Sequence, residues 1–130
     1  MAINQSLVDQ ILLDTLVAGT TMQILPEGSE SAPTIGIDHV KEFSLPGGSS
    51  QPSVNSQLEN LQGIYQVNVC TPKSKFRRYN REKANEVKNI YPAGRVGSSL
   101  VIVEKVELSG LMASGDFLMT AVSVYYRVVG

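Results

Sequence analysis

Residues 99 to 108, "SLVIVEKVEL", and 117 to 128, "FLMTAVSVYYRV", both read as strands, and only "SGLMASGD" lies between them. A parallel crossover takes a dozen or more residues, usually a helix, so a connection this short makes the pair antiparallel. Leu118, Val122, Val124, Tyr126 and Val128 share one face of the second strand. Upstream, "GIYQVNVC" at 63 to 70 sets Tyr65, Val67 and Val69 on one face. "TIGIDHVKEFSL" at 34 to 45 alternates, with Ile35, Ile37, Phe43 and Leu45 together, and a shorter strand is expected in "TMQIL" before Pro26.

Two segments have helical spacing instead. Residues 4 to 18 carry Leu7, Val8, Ile11, Leu12, Leu16 and Val17 as an apolar stripe, with Asn4 or Ser6 as cap and Gly19 as terminator. After "TPKS", where Pro72 suits a first helical position, a wheel from residue 76 gathers Phe76, Tyr79, Ala84, Val87, Ile90 and Tyr91 on one side. Arg77, Arg78, Arg81 and Lys88 fall on the other, and "YPAGRVG" ends the helix. Between the strands, "PGGSSQPSVNSQLENLQ" at 46 to 62 is rich in Pro, Gly, Ser, Asn and Gln and reads as a long flexible loop. The expected class is α+β. Residues 1–130 form a single domain, a mixed and largely antiparallel β-sheet with two α-helices packed on one face. With 130 residues and 42% apolar content, the chain can bury a real core.

No pattern points to catalysis, a metal, a cofactor or a small-molecule substrate. His39 is the sole histidine, and its neighbour Asp38 projects to the opposite side of a strand, so the carboxylate cannot readily orient the imidazole. One cysteine and one histidine cannot build a zinc site. "PGGSS" lacks the spacing of a phosphate loop and no helix follows it. Glu104 shares a face with Ile102 and Val106, which raises a buried acid, but an exposed sheet end or a subunit contact is the preferred reading. The apolar runs are too short for a membrane helix, "MAINQSLVDQ" lacks the features of a signal peptide, and the lone Cys70 suits a reducing cytoplasm.

Charge is the informative feature. "KSKFRRYNREKANEVK", 73 to 88, holds seven of the eleven basic residues against Glu82 and Glu86. The stretch is +5 in a chain of net −1, so the remainder sums to −6. Lys73, Lys75, Arg77, Arg78, Arg81 and Lys88, with Gly47 and Gly48 of the loop, are the candidate assembly residues. Acidic protein surface is the expected partner of the basic stripe, because the rest of the chain is acidic, whereas dedicated nucleic-acid binders are usually basic overall. Non-specific contact with DNA phosphates is the alternative.

In combination, "GIYQVNV" at 63 to 69, Pro72, a helix closing in "IYP" at 90 to 92, a strand, a glycine turn and "DFLMTAVSVYYRV" at 116 to 128 resemble the small tail terminator proteins of tailed bacteriophages. The likeness covers about half the chain, from Gly63 onward, and the first helix agrees in position. Where the family pattern has an aromatic-x-Pro segment, this chain has only "ILPEG", and its second helix is more basic. The resemblance implies a non-enzymatic virion protein, assembled in the host cytoplasm as a homohexameric ring without cofactor. Such a ring would cap the tail tube protein at the neck, end its polymerisation and meet a head–tail connector or stopper protein, leaving a bore for DNA. Another neck or head-completion protein, or a nucleic-acid-binding module using helix 73–88, are the alternatives.

Overall fold

A computed structural model describes residues 5–26, 37–50, 60–97 and 99–128. Helix α1 spans Gln5–Gly19, strand β1 Gln23–Leu25, β2 His39–Ser50 and β3 Asn60–Pro72. A 3-10 turn, Lys73–Lys75, leads into α2, Phe76–Ile90. Then follow β4 (Gly94–Arg95), β5 (Val101–Leu108), β6 (Met112–Ser114) and β7 (Phe117–Val128). The strands form one sheet in the order β1-β2-β3-β7-β5-β4, with β6 also on β7. Among the described residues, only β1 runs parallel to its neighbour β2; every other pairing there is antiparallel. The α+β class and the antiparallel β5–β7 pair are as the sequence implied.

Both helices lie on one face. Val8, Leu12 and Leu16 of α1 and Ala84 and Val87 of α2 close over Val40, Tyr65, Val67, Val69, Val122, Val124 and Tyr126. Each such side chain removed from water contributes roughly 1.5–3 kcal/mol, which is what holds two short helices to the sheet. Gly19 lets the helix ends approach: a Cβ there would fall 2.7 Å from Ile90 Cγ1. The Tyr91 hydroxyl donates to the Leu12 carbonyl at 2.8 Å, fastening the end of α2 to the middle of α1.

Several expectations need correction. The stripe on α1 is narrower than the apolar spacing suggested, since Leu7 and Val17 are exposed. On β2 the core face is the opposite one: Val40 and Glu42 are buried, whereas Ile37 and Leu45 are half exposed. The register decides this. Val40 lies beside Val69, which lies beside Thr120, so β2 must turn that face to the helices. Ile35 is outside the described residues.

The loop at 46–62 is shorter than its composition implied. Residues 46–50 belong to β2 and 60–62 to β3, and the ladder reaches Ser50 opposite Asn60; positions 51–59 lie outside the described residues. Gly47 and Gly48 are therefore strand residues, at a register shift between Pro46 and Ser49. Glycine is at home in such an irregularity, and a backbone ladder needs no apolar side chains to form.

The 109–116 connection contains β6, closed onto β7 by Gly115–Asp116 with Gly115 at φ +58°. A positive φ at the first turn position is the primed geometry that matches strand twist. Ser109, just past β5, is tied to β7: its amide donates to the Ala121 carbonyl, and its Oγ accepts from the Ala121 amide, both at 2.9 Å.

Candidate functional site

Helix α2 has a buried side and a basic side, and both begin at an irregular residue. Phe76 has φ +68° and ψ 174°, a conformation that costs a non-glycine residue energy and is not helical. A wheel assumes helical geometry from its first residue, so its placement of Phe76 in the core fails. The ring is 75% exposed. Tyr79 is only partly buried, while Ala84, Val87 and Tyr91 take the core positions expected of them.

Arg77, Arg78, Arg81 and Lys88 are exposed, as are Lys73 and Lys75 at the turn before the helix. Phe76, Arg77, Arg78 and Arg81, with Glu82 and Asn85, line an open depression along α2. The ion pairs among the described residues lie elsewhere: Lys83–Glu86 at 3.4 Å, Lys105–Glu107 at 3.0 Å and Arg127–Glu104 at 3.9 Å. Three guanidinium groups and a phenyl ring thus stand together on solvent. Gly47 and Gly48 sit on β2 and do not line this depression.

Two connections anchor the helix beneath these arginines. The Tyr79 hydroxyl donates to Asp38 Oδ2, and that carboxylate pushes the phenol's ionisation upward, with desolvation adding to it. Lys75 Nζ lies 4.7 Å and Lys83 Nζ 5.5 Å from the Tyr79 ring centroid, at cation–π range.

The second connection is Asn80, fully buried in the middle of the apolar stripe. Its Nδ2 donates to the Leu118 carbonyl at 2.8 Å and Thr71 Oγ1 at 2.9 Å, and lies 3.3 Å from the Val69 carbonyl. Its Oδ1 accepts from Thr120 Oγ1 at 2.6 Å. One amide therefore joins α2 to β3 and β7 at once. Sequence reading missed it. The available signal was a polar residue on the wheel between Val87 and Tyr91.

His39 is buried, stacked edge to face on Phe117 at 4.7 Å, with Nδ1 3.3 Å from the Ile37 carbonyl. Burial lowers its ionisation below the ordinary 6.5, against the Ile37 contact and Asp38; Lys41 adds to the lowering. The folded chain thus holds a neutral imidazole at pH values where the unfolded chain's is charged. Stability should be level above pH 6.5 and fall as pH drops below it, by at most about 1.4 kcal/mol per pH unit for one proton. Urea midpoints from about pH 8 to about pH 5, compared with those of His39→Gln, test this. The variant should lose part of the acid slope; identical slopes would contradict the assignment. Cys70 is buried as well, and burial pushes its thiol up, away from the reactive thiolate.

A second surface feature lies at the opposite end of β3. Glu104 follows core-facing Val103 and sits at a bulge between Val103 and Lys105; it is exposed and reaches Arg127. This settles the buried-acid question raised by the sequence. Beside the bulge is an open notch formed by Gln62, Gly63, Ile64, Glu104, Tyr125 and Tyr126.

Among the described residues, no cluster of His, Cys, Asp and Glu could hold a metal, and no helix is long and apolar enough to cross a membrane. No family model and no curated protein matches the chain. Among the solved structures that match is one with a TM-score of 0.74 at 17% identity, covering 99% of this chain and 98% of the other. At that identity the likeness concerns architecture alone.

Proposed function

We propose that this chain is a structural virion protein of the tail terminator kind. Copies form a homohexameric ring that caps the tail tube, ends its polymerisation and joins it to a head-proximal connector or stopper, leaving a bore for DNA. The carrying observation is the exposed face of α2, where Arg77, Arg78 and Arg81 flank an exposed Phe76 and form no ion pair among the described residues. A basic excess on one helix, with an acidic remainder, favours contacts between unlike surfaces of identical copies or with an acidic partner. The resemblance from Gly63 onward supports the tail assignment. The long β2–β3 hairpin supports assembly too, because its ladder continues to Ser50–Asn60 while β7 accompanies β3 only to Gln62.

The second reading is a grip on nucleic acid. Exposed Phe76 beside three arginines favours it, since single strands are held by aromatic stacking and basic side chains. Polymerising tail tube protein with and without this chain tests the main reading. The chain should sit at one tube end and stop growth there. Tubes that lengthen unchanged, with no added density at either end, would contradict it.

A further inference from the structure

We infer that the exposed α2 start of one copy docks into the notch beside the β5 bulge of the next. In this contact Phe76 enters the notch and packs against Ile64 and Tyr125, and Arg77 and Arg78 face Glu104. The inference rests on the homo-oligomer reading and names the surfaces that would build it.

Three observations carry it. First, Phe76 is 75% exposed and held outward by a costly backbone conformation at the first position of α2. An aromatic ring flanked by arginines is the residue combination that dominates protein–protein contact energies. Second, the notch offers what that patch lacks: apolar walls from Gly63, Ile64 and Tyr125, with one carboxylate, Glu104, exposed at the bulge. Its present partner, Arg127 Nε at 3.9 Å, is a long and half-exposed ion pair, which gives it little hold.

Third, the two features lie at opposite ends of the same strand. Gly63 and Pro72 are separated by nine steps of β3, about 30 Å at ~3.3 Å per residue, and Phe76 follows the end of β3 after a single 3-10 turn. One molecule cannot bring them together. Two different patches that complement each other, with each copy giving one patch to each neighbour, make a heterologous contact, which propagates head to tail and closes into a ring when the rotation allows. A two-fold dimer with the α2 start on its axis would set arginine against arginine, which is repulsive.

Cysteine cross-linking between separately prepared chains tests the contact. A Phe76→Cys chain is mixed with an Ile64→Cys chain under mild oxidation, and the wild type, with only buried Cys70, is the control. The mixture should give disulfide-linked dimers at least about ten-fold above either chain alone. Adding Arg77→Glu and Arg78→Glu to the Phe76→Cys chain should abolish most of that product, and Glu104→Arg in the other chain should restore it. Linkage of Phe76→Cys chains only to themselves would mean a two-fold contact and overturn the proposal. No linkage in a preparation of oligomeric mass would overturn these surfaces while leaving the ring in place. A monomer at every concentration and at tube ends would overturn both.

Discussion

Asn80→Leu is expected to be among the most damaging single substitutions in this chain, costing about 3–5 kcal/mol. The side chain is similar in size, so volume is not the reason. Leucine would leave the Thr71 and Thr120 hydroxyls buried without their amide and would remove a donor from the Leu118 carbonyl. A domain of this kind has only about 5–15 kcal/mol in total, so the substitution would remove a large fraction of its stability. The physical cause has its own control. Adding Thr71→Val and Thr120→Val removes the orphaned partners, and much of the loss should return. Denaturant midpoints provide the measurement. A single-variant loss under about 1 kcal/mol, or no recovery in the triple variant, would show that the bracket is not what fixes α2 to the sheet.

The opposite pattern is expected for Arg77→Glu, Arg78→Glu and Arg81→Glu combined. These side chains are exposed and outside the core, so each should alter subunit stability by no more than about 0.5 kcal/mol. Assembly should nevertheless fail, because the substitutions invert the sign of the surface meant to meet acidic partners. Salt alone cannot separate protein contact from DNA contact, since it weakens both. The charge reversal separates them by its product. Loss of rings and of tail joining with a folded subunit fits the protein-contact reading. Normal rings and joined tails, with only DNA passage or retention impaired, would assign the stripe to DNA instead.

What the sequence made legible follows from how strongly each residue is constrained locally. β7 could be read because a dozen residues alternate between a helix-covered face and a more open one, and the α2 stripe because Ala84, Val87 and Tyr91 recur at helical spacing. β2 misled because apolar residues stand on both of its faces, and only pairing with β3 reveals which is buried. The stretch at 46–50 misled because a ladder of backbone hydrogen bonds leaves no trace in side-chain composition. Phe76 misled for a third reason: a single positive φ at the helix start breaks the projection on which the wheel depends. The basic stripe of one surface and Glu104 of the other stood out in the sequence, but the exposed ring and the notch did not. Phe76 has a positive φ and Glu104 sits at a bulge; both are departures from the regular periods that sequence reading relies on.

The central claim is that identical copies close into a ring, and native mass together with rotational symmetry tests it most directly. The protein should give one assembled species of about six subunit masses, alone or at the ends of tail tubes, with cyclic symmetry about the tail axis. A single copy per tail, or a dimer bound off that axis, would contradict the account.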